Sequence, residues 1–403
     1  ISAGSNDLIQ LFAFLERKDY FKDFHLVKFG KKYVGKIIRT LFTNHQPREL
    51  FFADFVSLKK LASTLQRVPP ERLRCVTTLH MNPKLETVSS HLAPSIIRCF
   101  ENLAVLSLCS MDLTLLDFQS LCGIVANSST LIALGISHTA LTRDRVQRLV
   151  TAIEAKNIME RLNLANCGLT DMRVKPLLLF VQKKKCALQH LYLNQNRLRG
   201  TRIAQVISVG KLRTIALANN MFTEATVYVI YRSLAKNDTL TSFTLGCSED
   251  QLALKRLPPN VMGRNRVLQE LQLFNIAFSR KAYSTLFADL RANSTLLEVQ
   301  LSLKEESYIP TAPLIALLTA NHTLHTFDME NSFRMRITND MGLVSAALHT
   351  NPSMRYFLGN KLPAWEEITE RNKHNLDLKT LSLAAMSHAR FVEDILLQTH
   401  KPS

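Results

Sequence analysis

The chain holds 12 histidines, seven cysteines and 33 acidic residues, the side chains that could carry protons, ligate metals or attack electrophiles. The cysteines are Cys75, Cys99, Cys109, Cys122, Cys167, Cys186 and Cys247, and no CxxC pair occurs among them. A zinc site needs thiolates or imidazoles at close, regular spacing, so this scatter argues against one. His322 and His325 lie three residues apart but flank Leu324, which suits a satisfied turn histidine better than a metal ligand. No GxSxG, HExxH, GxGxxG or GxxxxGK[ST] string occurs, so neither a nucleophile elbow nor a phosphate cradle is expected. No catalytic residue, metal or cofactor is assigned on this reading.

The formal charge is +17, which attracts polyanions in general and says nothing about fold. Its concentrations are Arg143–Arg148, Lys183–Lys185, and Arg264 with Arg266. Aromatic side chains do not interleave with them, as a nucleic-acid groove would require. They read as a solvated outer face, and nucleic-acid binding is not expected. Near the start, Lys31, Lys32, Lys36 and Arg39 stand opposite Tyr33, Ile37, Leu41 and Phe42 in helical spacing. A basic amphipathic helix can lie on an anionic membrane; a helical cap with a solvated face is the preferred reading. The odd cysteine count argues against a disulfide framework and for a reducing compartment, the cytoplasm. The opening stretch lacks a basic segment followed by a long apolar run, so no targeting segment is expected. No stretch of 18 uncharged apolar residues occurs. The chain opens on Ile1 rather than methionine, which leaves room for an upstream extension.

The elements that must carry these side chains come from one recurring string. It is an apolar residue, two variable, apolar, variable, apolar, two variable, then a small or polar residue. Copies start at Leu103, Leu131, Met159, Leu188, Leu212, Leu240, Leu268, Leu296, Leu324 and Met354, with successive spacings of 28, 28, 29, 24, 28, 28, 28, 28 and 30 residues. Weaker copies start around Pro47 (PRELFFADF) and Leu73 (LRCVTTLHM). A second marker runs in phase: Asn44, Asn237, Asn265, Asn293, Asn321 and Asn351 each lie three residues ahead of a start. Asparagine tolerates left-handed backbone and bonds locally, which suits a helix end. Each unit also holds a helical stretch, such as SRKAYSTLFADLRAN, with Tyr283, Leu286 and Leu290 on one face. The repeat from Leu188 is short enough for only about two helical turns before Gly210. Pro258-Pro259 should stop a helix over QLALKR early and leave PPNVMGR irregular.

A period of about 28 with one helix per unit resembles the ribonuclease-inhibitor type of leucine-rich repeat. Cys167, Asn196 and Asn220 stand where that family favours cysteine or asparagine; Thr139, Ser248 and Ile276 replace them elsewhere. The resemblance implies an α/β leucine-rich-repeat solenoid, a horseshoe with a concave parallel β-sheet, convex helices and helical caps. Within it, residues 1–46 form an N-terminal cap, 47–362 the solenoid of two degenerate and ten clearer repeats, and 363–403 a C-terminal cap. Ribonuclease binding is not implied, because those inhibitors are acidic and cysteine-rich. The tail WEEITERNKHNLDLKTLSLAAM also resembles leucine-rich-repeat effectors of intracellular bacterial pathogens, which act in the host cytosol. No cysteine here has an aspartate two residues on, as the ubiquitin-ligase members of that group need. Cytosolic NLR-type receptors have similar repeats.

In such a strand the third, fifth and seventh positions face the concave side. The first clear repeats present small neutral side chains there, the middle ones Arg161, His190 and Tyr192. The last present Glu270, Gln272, Phe274, Glu298, Asp328, Glu330 and Tyr356. These ten residues are the candidate partner-binding set. The function expected is a monomeric, non-catalytic scaffold for a protein partner with a basic patch, with an effector as one form. The alternatives are a regulator of a small GTPase, for which no arginine finger stands out, and a fragment of a cytosolic innate-immune-type sensor. Alkylation under non-reducing conditions followed by mass spectrometry is expected to find seven free thiols; an intramolecular bridge would contradict the reducing-compartment reading.

Overall fold

The structure, a computed structural model, describes residues 23–27, 34–53, 58–82, 93–200, 202–248, 252–302, 309–329, 341–351, 353–354 and 356–358. The repeats lie side by side in one parallel sheet. Its first eight strands are β1 (Asp23–Val27), β2 (Glu49–Ala53), β3 (Thr78–Asn82), β4 (Val105–Leu108), β5 (Ala133–Gly135), β6 (Arg161–Asn163), β7 (His190–Tyr192) and β8 (Thr214–Asn220). Then come β9 (Ser242–Cys247), β10 (Leu252–Leu254), β11 (Glu270–Phe274), β12 (Ile276–Phe278), β13 (Glu298–Ser302), β14 (Thr326–Asp328) and β15 (Tyr356–Leu358). Thirteen of these pair in chain order, while β10 and β12 form a separate two-stranded sheet. A helix between most successive strands makes every neighbouring pair parallel.

Each strand is short because only its alternate residues can be buried. The apolar first, fourth and sixth positions of the repeat form the core. From Leu106 and Leu108 to Phe327 and Met329, every fourth and sixth position of the nine repeats starting at Leu103 through Leu324 is at most 2% exposed. At the far end an aromatic series crosses rungs: Tyr283 lies against Phe278 and Phe287, and Phe287 meets Phe327, which meets Phe357. Such packing leaves no unit a core of its own, so each depends on its neighbours.

The helices begin at a recurring hydroxyl. Thr114, Thr142, Thr170, Thr223 and Ser279 each accept a hydrogen bond from the backbone N–H three residues on, filling one of the groups a helix start leaves open. The strands end at another fixed point. Ser110, His138, Asn166, Gln195, Asn219 and Asn275 all have φ between 52° and 55° or 58° and occupy the eighth repeat position. Glycine is absent from that site because short polar side chains tolerate it.

The asparagine series does more than end helices. Asn265 donates to Leu234 O (2.8 Å) and Asn237 O (3.2 Å), and accepts from the N–H groups of Val267 and Leu268. Asn293 repeats this toward Met262 O and Asn265 O, Asn321 toward Leu290 O and Asn293 O, and Asn351 toward Leu318 O and Asn321 O. Left-handed geometry is not what selects asparagine: φ is −80° at Asn237, −85° at Asn293 and −89° at Asn321. The amide is chosen because it can donate twice to the preceding repeat and accept twice from its own.

Several expectations change. Residues 1–46 were expected to be a helical cap, but β1 pairs with β2, so the sheet starts inside that segment. The basic helix is present as Val34–Asn44, with Ile37, Leu41 and Phe42 buried and Lys36 and Arg39 exposed. The weak copy at Leu73 is mis-phased by three residues: Thr78 pairs with Val105, which puts the repeat start at Val76. Within QLALKR, Leu252–Leu254 form β10 rather than a helix. Cys247, not Ser248, continues the Asn220 site, because a bulge after Leu217 shifts the register. The short repeat keeps its two-turn helix, Ile203–Val209, where a Cβ at Gly210 would lie 2.4 Å from Val206 O. The proposed C-terminal cap, 363–403, lies outside the described residues. Replacing Asn293 by alanine strands two buried carbonyls and two N–H groups at about 1–3 kcal/mol each. The loss in urea unfolding is expected to exceed about 2 kcal/mol, against under about 0.5 kcal/mol for Asn127→Ala on a helix surface; equal losses would remove the series from its bridging role.

Candidate functional site

The helices cover one side of the sheet and leave the other open, so the third and fifth strand positions form a continuous concave face. Register fixes which side chains meet on it. Arg161 on β6 stands between Ala133 and His190, and His190 on β7 stands beside Thr214 on β8. Tyr192 lies between Asn163 and Ala216. Farther along, Glu270 on β11 pairs with Ser242 and with Glu298 on β13, and Gln272 pairs with Thr244 and Gln300. Asp328 on β14 faces Gln300.

The middle of the face is cationic. His190 Nδ1 lies 3.0 Å from Thr214 Oγ1. Its ring is half-buried, and burial together with the charges of Arg161 and Arg213 lowers its pKa to about 4. The imidazole is therefore neutral near pH 7, and the positive charge of this sector sits on the two arginines. Arg213 was missed by the sequence reading because it occupies the second repeat position, outside the alternating rows.

The far part is acidic and partly self-satisfied. Ser242 Oγ donates to Glu270 Oε2 (3.0 Å), and Thr244 Oγ1 donates to Gln272 Oε1 (2.9 Å). Gln300 Nε2 donates to Asp328 Oδ2 at 3.5 Å. These neighbours soften the repulsion of Glu270 and Glu298, which sit on adjacent rungs about 4.8 Å apart. Phe274 rests over Gly246, where an added Cβ would approach the Phe274 Cβ and carbonyl oxygen to 3.0 Å. The close packing there requires glycine. Glu330 lies outside the described residues; Tyr356 is placed on β15 by its backbone, opposite Thr326. The structure thus gathers the candidate set into two separate sectors rather than one patch.

The first rungs hold a pair that the mis-phased repeat had hidden. His80 Nε2 lies 3.5 Å from Glu49 Oε1, and its ring centroid is 5.9 Å from that of Phe51. Phasing from Val76 places His80 in the fifth-position row, beside Phe51, which holds that position counted from Pro47. Elsewhere, burial pushes the Cys122 thiol to about 11 and those of Cys167 and Cys247 to about 12, which makes these thiols poor nucleophiles. Cys167 instead donates to Ile136 O, and Asn196 and Asn220 bond backbone groups in the corresponding turns. Among the described residues no group of three His, Cys, Asp or Glu could hold a metal ion, and no helix is long and apolar enough to cross a membrane.

No family model matches the sequence. The mouse (Mus musculus) protein "NACHT, LRR and PYD domains-containing protein 14" is 31% identical over 208 residues, a match covering 49% of this chain and 21% of that protein. The chain thus spans about a fifth of the length of that curated relative. An internalin, InlF, from Listeria monocytogenes is similar at 13% identity and a TM-score of 0.43 over 82% of this chain and 95% of its own. The Drosophila Toll–Spatzle complex is similar at 15% identity and a TM-score of 0.44 over 78% of this chain and 38% of that one.

A histidine held neutral in the native state binds fewer protons than in the unfolded chain, so it destabilises the fold as pH drops from about 6.5 toward about 4. His190→Gln is expected to lower the sensitivity of the urea midpoint to that pH interval, with little change at pH 7.5. An unchanged pH dependence would mean that His190 is not held neutral by burial and its arginine neighbours.

Proposed function

We propose that this chain is a non-catalytic scaffold that binds a protein partner on its concave face, as the repeat portion of a cytosolic NACHT–LRR-type sensor. The observation that carries the binding reading is the open face itself. Its backbone is saturated by the sheet, while its side chains change from arginine-rich to acidic along the axis and include Tyr192 and Phe274. A surface kept soluble only by charge would not need aromatic side chains in the groove. The mouse relative, 31% identical over 208 residues, supports the sensor reading over the bacterial effector. The effector resemblance rests on 365–386, outside the described residues.

The partner can be sought by affinity capture from mammalian cytosol and, once identified, measured as a purified complex. Reversing Glu270, Glu298, Asp328 and Glu330 to lysine is expected to weaken that complex by at least about a hundredfold, near 2.7 kcal/mol, and Tyr192→Ala by at least about tenfold. Binding unchanged by both would reject the concave face and move the search to the basic helical side.

A further inference from the structure

We infer that the middle rungs hold an anion subsite in which Arg161 and Arg213, on either side of His190, take an acidic side chain of the protein partner. The inference rests on the concave-face reading and names the chemistry that face selects. Its first support is placement. Arg161 is the register partner of His190, and Arg213 directly precedes Thr214, which is the register partner on the other side. Both arginines are exposed. Its second support is that neither guanidinium has a hydrogen bond or an ion pair among the described residues. Other arginines are committed: Arg145 donates to Leu113 O, Arg173 to Gly168 O, and Arg74 pairs with Glu101. Glu160, next to Arg161 in the chain, forms no ion pair with either arginine.

The third support is the histidine between them. Thr214 holds Nδ1 (3.0 Å) and leaves Nε2 for a ligand. The ring is neutral because it is half-buried and because two positive charges add to that effect. A carboxylate bound across the two guanidiniums would neutralise that field and accept from Nε2–H, so binding should raise the His190 pKa and draw in a proton. Paired forks of N–H donors match a carboxylate better than a point cation would.

The rest of the face selects the source of the anion. Four strand steps away, from β6 through β7, β8 and β9 to β11, the groove carries Glu270, then Glu298 and Asp328. At about 4.8 Å per step this is about 19 Å. A nucleic-acid backbone or an anionic membrane laid along the groove would meet those acids. A protein segment with an acidic end over β6–β8 and a basic end over β11–β14 meets neither penalty, and about 13 residues of helix span the distance.

The test uses the full chain with labelled histidines, followed by NMR. The probe is a helical peptide of about 15 residues, glutamates at one end and lysines at the other. Binding is expected with a rise in the His190 pKa. Replacing the peptide's glutamates by glutamine is expected to weaken binding by at least about tenfold, as is Arg161→Gln with Arg213→Gln in the protein. Polyglutamate and single-stranded DNA are expected to bind more weakly than the bipolar peptide. An unmoved His190 resonance would overturn the subsite, and tighter binding of DNA would assign it to polyanions instead. If the double arginine variant keeps the captured partner while the acidic-sector reversal loses it, the subsite falls and the scaffold stands. If both keep it, the concave face falls as well.

Discussion

The carbonyl groups at the end of each helix are the constraint from which the solenoid follows. A helix ends with unpaired carbonyls, and in a stacked array they are buried by the next repeat, beyond the reach of water. The asparagine three residues ahead of each strand solves this from the neighbouring unit. Asn321 donates to the helix-end carbonyl of Leu290 and to the carbonyl of the preceding Asn293, while its oxygen holds the turn that starts its own strand. One side chain therefore fixes both the end of one repeat and the start of the next. A shift of one residue would break four hydrogen bonds at once; the spacing is 28 from Asn237 to Asn321, and the same four bonds are kept at Asn351 across a spacing of 30.

Where the pattern fails, other groups take over the same work. Ser128 stands three residues ahead of Leu131 and supplies only the accepting half, bonding the N–H groups of Thr130 and Leu131. The repeat from Leu240 has no helix among its described residues, and Asp289 on the following helix holds its return loop instead. That carboxylate accepts from the N–H groups of Asn260, Val261 and Met262. Its burial raises its pKa, partly offset by those three bonds. Across the same repeat, Asn275 donates to Asn219 Oδ1 (3.1 Å), bridging two units apart because Gly246 lets β8 and β11 close over β9. The irregular repeat is thus braced by polar contacts in addition to its buried apolar residues, among them Phe243, Leu254 and Met262.

What could be read in the sequence divides along the same line. The core positions were legible because burial on one side of a short strand admits only apolar residues, and repetition multiplies a weak signal tenfold over the clear copies. The asparagines were legible in position but not in purpose, since a bond to the previous repeat leaves no mark in its own. FKDFHLVKF carries apolar residues at the first, fourth and sixth positions but ends on Phe29 instead of a small or polar residue, so it reads as part of the N-terminal helical cap. At Leu73 and Val76 two apolar residues three apart both fit the first position, and only pairing with β4 decides between them. QLALKR alternates over too few residues to tell strand from helix. The concave rows were correctly phased from Leu103 onward, but Arg213 escaped because side chains from outside the strand also reach the face.

Identity in this protein is confined to positions that the fold leaves unspecified. The sheet saturates its own backbone and the core tolerates only apolar residues, so the third and fifth strand positions are where repeats can differ without cost to stability. Those positions here are neither uniform nor randomly mixed. Thr214, Ala216, Ser242 and Thr244 form a neutral stretch between Arg161 with His190 on one side and Glu270 with Glu298 on the other. Placing the opposite charges on neighbouring rungs would have let them pair with each other. Keeping them about 10 Å or more apart, at least the two strand steps from Arg213, just ahead of β8, to Glu270 on β11, holds them beyond the screening length of about 8 Å at physiological salt. The separation itself becomes a ruler that a partner's charges must match. A single-sign groove would attract any counter-charged molecule, whereas two opposed sectors at a fixed distance reject partners that satisfy only one of them.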